Sequence, residues 1–195
     1  AVGAQWDTFE KALSGLQIPF FPTAGNHDVS DDPGVIRVYE QRVGPFTYKI
    51  TRGNVLFVVL NTEEPGDPDG LTADQRAWLR TVLEKSTARH IFLFLHVPLF
   101  DQNWDRDWQA TADIIKGYPV RAVFAGHMHY YRDCGVHDGV RYVVAGSAGG
   151  EVRTPEDEGG FFCYLAVRVR GDDISWSVIR PGAILPENVI TPATN

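Results

Sequence analysis

Methionine occurs once in the 195 residues, at Met128, and cysteine twice, at Cys134 and Cys163. Residue 1 is therefore not a translation start, and the chain is expected to be a processed product or a fragment. Nothing near Ala1 has the basic stretch and following apolar run of a signal peptide. Two cysteines are too few for a disulfide framework and their spacing matches no zinc knuckle, so both read as buried or half-buried thiols. No apolar run approaches the ~20 residues that a membrane-crossing helix needs. Basic residues are in deficit, 18 against 25 acidic for a net charge of −7, which argues against non-specific gripping of nucleic-acid backbones. A phosphate-bearing small substrate stays open, because bound metal ions can supply positive charge locally. Secreted, periplasmic and cytoplasmic settings all remain compatible with this composition.

What is present is ordinary globular material, 44% hydrophobic and 22% charged, long enough for one domain with a sizeable core. Trp6, Phe9, Leu13 and Leu16 recur at helical spacing, so the opening segment reads as an amphipathic helix ending near Gly15. Residues 19–23 read as a short strand running into the polar loop Gly25-Asn26-His27-Asp28, and 33–43 as a helix with Pro33 in its first turn. A β pair follows, 46–51 and 55–60, then a Pro-, Gly- and Asp-rich loop over 61–70. Thr72 and Gln75 form a capping-box pattern before a helix from Ala73 to about Lys85. Residues 91–95 are apolar throughout, as in a parallel strand covered on both faces, and His96 follows at once. A helix is expected over 108–115 and a strand over 120–124, ending in Gly126-His127-Met128-His129. Beyond lie strand pairs only, 130–135 with 141–145 and 161–169 with 174–179, then a tail or linker over 181–195. The fold class is a mixed α/β architecture.

Four of the six histidines, His27, His96, His127 and His129, fall just past predicted strands. Ligands of open α/β sheets gather outside the carboxyl ends of strands, and neutral imidazoles with the amide oxygen of Asn26 suit zinc, iron or manganese-type ions. His90 and His137 read as ordinary hydrogen-bonded core or surface groups.

The three blocks Gly25-Asn26-His27-Asp28, His96 after a buried strand, and Gly126-His127-Met128-His129 resemble, in order and placement, three motifs of the calcineurin-like metallophosphoesterase family. The stretch from Gly146 to Gly150 and the strands after it resemble the closing hairpin region of the purple-acid-phosphatase-like branch. The resemblance implies an α/β/β/α sandwich of two mixed sheets flanked by helices, over residues 1–180. It implies Asn26, His96 and His127 as ligands of one metal and His129 as a ligand of a second. His27 would be the general acid and Asp28 the carboxylate that orients it, with a metal-bound hydroxide as nucleophile. The substrate would be a small phosphomonoester or phosphodiester, with no specific nucleic-acid or membrane signal. Two divalent or trivalent ions (manganese, iron, zinc or similar) are implied for the intact protein.

Two earlier family blocks, an Asp-x-His and a Gly-Asp block carrying a bridging aspartate, have no counterpart here. Gly66-Asp67 and Gly171-Asp172 fall after the Asn26 block, out of order. Gln5, Trp6 and Phe9 resemble the helix that follows the bridging block, so the first strand and its metal motif are expected to be missing. At most one ion, and weak or no activity, are then expected of this chain alone. Trp104 and Trp108, in the stretch after His96, are candidate substrate contacts, weighed against a role in anchoring that stretch. Two other readings are a non-catalytic binding scaffold on the same fold and a protein with one structural zinc. The first usually goes with loss of the histidine that stands here as His27. The second usually draws on thiolates, which no histidine block has beside it.

Overall fold

The computed structural model describes residues 3–64, 67–68, 70–101 and 108–190. Four α-helices, α1 (Gly3–Leu13), α2 (Pro33–Arg42), α3 (Ala73–Glu84) and α4 (Trp108–Ile115), alternate with strands β1 (Tyr48–Arg52), β2 (Val55–Val59), β3 (Glu63–Glu64), β4 (Asp67–Pro68), β5 (His90–Phe94) and β6 (Val120–Ala125). Strands alone follow, apart from one short 3-10 turn: β7 (Tyr131–His137), β8 (Val140–Ala145), β9 (Tyr164–Arg170), β10 (Asp173–Arg180) and β11 (Ala183–Pro186).

A six-stranded mixed sheet has the order β1-β2-β5-β6-β8-β7, and β11-β10-β9 form a separate antiparallel sheet. The central strands β2, β5, β6 and β8 run parallel to one another, and the outer strands β1 and β7 pair with them antiparallel. Alternation along β5 explains why every residue from Ile91 to Phe94 is apolar: Ile91 and Leu93 join the cluster holding Leu79, Leu83, Trp108 and Ile115 of the helices. Phe92 and Phe94, on the other face, meet Trp176 and Val178 of the small sheet. Phe124 completes that second layer, its ring 5.5 Å from Phe94 and edge-on to Trp176 at 5.7 Å. The result is helices on one side of the large sheet and a second sheet on the other, the α/β sandwich that the resemblance implies, with the second sheet antiparallel rather than mixed.

Most elements lie where sequence periodicity puts them, and the departures have physical reasons. Residues 19–23 form no strand: they lie extended, but no neighbouring strand pairs with them among the described residues, and a ladder needs two partners. Phe20 and Phe21 accordingly stay about half exposed. The 61–70 loop contains the two-residue ladder β3–β4. Thr72 caps α3 by accepting from Gln75 N at 3.3 Å, but the Gln75 side chain does not complete the box. Instead its Oε1 accepts from Asn61 N and its Nε2 donates to Asn61 O. The stretch after 180 is no bare tail: β11 pairs with β10, and Asp133 N donates to Ile190 O. Both cysteines are free thiols.

A charged network staples that end to the large sheet. Asp133 is 2% exposed, and Arg141 donates to both of its oxygens, at 3.1 and 2.5 Å. Arg141 also donates to Glu187 Oε1 at 2.7 Å and lies over the Trp176 ring. Removing one member of a buried pair leaves its partner uncompensated. Asp133→Ala is therefore expected to lower unfolding free energy by about 3 kcal/mol, read as a shifted urea midpoint; an unchanged midpoint would show that the pair is solvated.

Candidate metal centre

Register carries the candidate residues to one edge. In the parallel pair β5–β6, Phe94 stands opposite Phe124, so residues two further along, His96 and Gly126, emerge side by side. Their backbones then join directly: Gly126 N donates to His96 O at 2.9 Å, and Leu95 N donates to Phe124 O at 3.1 Å. The loop beyond turns sharply, with Met128 N donating to Gly126 O at 2.7 Å. His127 and His129 both adopt left-handed backbone, φ 66° and 56°, a conformation that costs a non-glycine residue energy and recurs at functional sites.

The Asn26 loop closes on itself from the other side. Asp28 N donates to Gly25 O at 2.9 Å, and Gly25 N donates to Asp28 Oδ2 at 2.9 Å. The reciprocal pair makes a tight turn that presents Asn26 and His27 between its ends. Gly25 is required there: a methyl at this position would lie 2.7 Å from His96 Cε1. Asn26 Oδ1 stands 3.0 Å from His96 Nε2, which stands 3.2 Å from His127 Nδ1. The His96 and His127 rings meet edge to face, with centroids 5.0 Å apart.

Three electron-pair donors thus converge from three separate loops. Burial, followed by repulsion from His127, His129 and His27, lowers the His96 pKa to about 4, so its imidazole is neutral at physiological pH and keeps a lone pair to offer. Two imidazoles and an amide oxygen suit a borderline cation such as zinc, iron or manganese, and these residues fit such an ion. Among the described residues no three His, Cys, Asp or Glu side chains gather at one point; the third donor here is the amide.

His129 is held by a different partner. Its Nδ1 lies 2.7 Å from Glu151 O, a contact that puts the proton on Nδ1 and the lone pair on Nε2, as metal-binding histidines are commonly arranged. Gly150 packs against that ring so closely that a side chain there would collide with it. Neither the Glu151 carbonyl nor the Gly126 amide was singled out from sequence, since backbone groups carry no residue signature; the pair Gly149-Gly150 was the available hint of a close approach.

His27 is exposed and, with Asp28, borders a cleft of about 550 Å³ walled by Trp6, Phe9, Phe20, Phe21 and Tyr39. Trp108 is 7% exposed and packs edge-on against Phe100 and Tyr142, each at 5.9 Å, packing that favours the anchoring role over a substrate contact. Trp104 lies outside the described residues. His90 and His137 are structural: His90 is buried between Gly171 O and Arg121 Nε, and the exposed His137 ring rests near Tyr142.

The calcineurin-like phosphoesterase family profile matches residues 3–131. A mouse serine/threonine-protein phosphatase, CPPED1, is 30% identical over 151 residues, which is 68% of this chain and 48% of that protein. A cAMP/cGMP dual specificity phosphodiesterase of Mycobacterium tuberculosis is 30% identical over 140 residues, 62% of this chain and 43% of that protein. The chain spans about half the length of the curated relatives it matches. Among solved structures, a purple acid phosphatase from yellow lupin superposes with TM-score 0.70 at 15% identity, covering 98% of this chain and 47% of that one. A dimetal phosphatase from Danio rerio gives 0.66 at 16% identity, covering 92% and 75%.

The close packing of glycine against the imidazoles yields a graded test. Gly25→Ala is expected to weaken Mn²⁺ binding at least about tenfold by displacing His96, while Gly149→Ala, which meets nothing within 4 Å, leaves it unchanged. Isothermal titration reads both, and equal affinities would mean that the His96 ring position does not matter.

Proposed function

Because this chain belongs to the calcineurin-like phosphoesterase family, we propose that it carries part of a two-metal site that hydrolyses a small phosphate ester. The observation that supports this most is the placement of Asn26 Oδ1 at 3.0 Å and His127 Nδ1 at 3.2 Å from His96 Nε2. These three residues hold one ion, and His129, its tautomer set by Glu151 O, contributes to a second. Bound ions supply positive charge to the phosphate oxygens and acidify water near neutral pH.

The chain's own groups divide the remaining work. His27 projects from the exposed side of its turn, where an imidazole can hold a phosphate oxygen and deliver a proton to the leaving oxygen. Asp28 fixes the turn from which His27 projects, through its bond from Gly25 N, and so sets the orientation of that acid. Phosphatase and cyclic nucleotide phosphodiesterase relatives support the phosphate-ester class and leave both monoesters and diesters within it. The presence of His27 in the Asn26 turn supports a catalytic rather than a scaffolding descent. Turnover by this chain alone is expected to be weak, because Asn26, His96, His127 and His129 make up less than a full two-ion ligand set.

The test pairs metal stoichiometry with hydrolysis of bis(p-nitrophenyl) phosphate and p-nitrophenyl phosphate. The chain is expected to bind about one Mn²⁺ tightly, to lose it in His96→Ala, and to keep it in His27→Ala. Any residual turnover falls in both variants. A chain that binds no Mn²⁺, or whose His96→Ala variant binds as well as the wild type, would contradict the proposal.

A further inference from the structure

Behind His96 lies a set of buried polar groups that the site itself does not use. Asn61, Thr62, Glu63 and Gln75 are 3%, 0%, 7% and 5% exposed. Isolated polar groups at such depth are costly, so their arrangement has to be accounted for. The parallel register places them: Val59 stands opposite Phe94, and Leu60 N donates to Phe94 O at 2.8 Å. Past that point β2 and β5 leave the ladder together, and residue 62 arrives beside residue 97.

There the Thr62 hydroxyl accepts from Val97 N at 3.1 Å and donates to Glu63 Oε1 at 3.3 Å. A hydroxyl has one proton; with that proton turned to the carboxylate, its lone pairs are aimed at the Val97 amide. Asn61 and Gln75 hold the segment in place. Glu63 N donates to Asn61 Oδ1 at 3.0 Å, and Gln75 clasps both backbone groups of Asn61 at 2.9 and 2.7 Å.

Val97 N is the amide immediately after His96, and Val97 is fully buried. His96 O on the preceding side accepts from Gly126 N. The peptide that follows His96 is therefore gripped at both its polar atoms, one by the His127 loop and one by Thr62. We infer that Thr62, oriented by Glu63, is a positioning residue: it locks the His96–Val97 peptide so that the imidazole stays on Asn26 and His127. The inference rests on the proposed metal site, and it adds that the ligand geometry is set from the buried side by a hydroxyl no motif contains.

Thr62→Val keeps the shape and removes the acceptor, leaving Val97 N–H without a partner. It is expected to weaken Mn²⁺ binding roughly 10–100-fold and to move the His96 imidazole ¹⁵N resonances of the metal-free chain, with those of His90 unmoved. Thr62→Ser, which restores the hydroxyl, is expected to return both readouts to wild-type values. Should Thr62→Val fail to fold, Thr62→Ala, with room for a water at the amide, is expected to show the same resonance shift and an intermediate affinity. Unmoved His96 resonances in both Thr62→Val and Thr62→Ala, or a serine variant that fails to rescue, would overturn the inference. If the wild-type chain binds no Mn²⁺, the proposed site fails, while the metal-free resonances still decide the role of Thr62.

Discussion

One backbone hydrogen bond organises the candidate centre: Gly126 N to His96 O, at 2.9 Å. It exists because β5 and β6 are parallel neighbours in a register that ends both at the same level. Antiparallel pairing would have sent the two histidine loops to opposite edges of the sheet. Parallel pairing instead stacks the loop after β2, the loop after β5 and the loop after β6 along one rim, the place where ligands of open α/β sheets collect.

The sandwich behind the rim keeps it rigid. Each central strand is buried on both faces, by helices through Leu79 and Leu83 and by the small sheet through Trp176 and Val178. Their ends therefore cannot shift without disturbing two packed layers. That rigidity supports the unfavourable features of the site: left-handed backbone at His127 and His129, imidazoles packed edge to face, and glycines pressed against rings. A binding constellation built on strand ends and braced from below loses little entropy when a ligand arrives.

The large-scale layout was legible in the sequence because the determining signals are local. The apolar run before His96 reports a doubly covered strand, the cap signal at Thr72 the start of a helix, and the order of the histidine blocks the shared rim. What was not legible depends on partners far along the chain. The 19–23 stretch has strand composition but finds no strand to pair with among the described residues. Gln75 has the spacing of a capping box, yet tertiary contact with Asn61 takes its side chain. Asp28 binds its own loop amide, and Trp108 is drawn into the core by Phe100 and Tyr142. Thr62 and the Glu151 carbonyl carry no motif at all; only the register and the fold of the 146–151 stretch bring them to the histidines.

Anomalous X-ray diffraction at the manganese edge, from crystals of the chain soaked in Mn²⁺, addresses the centre most directly. Convergence of the three donor atoms predicts a peak in contact with Asn26, His96 and His127. A peak that lies elsewhere, or no peak while the three side chains keep their positions, would contradict a metal site built on the β5–β6 rim.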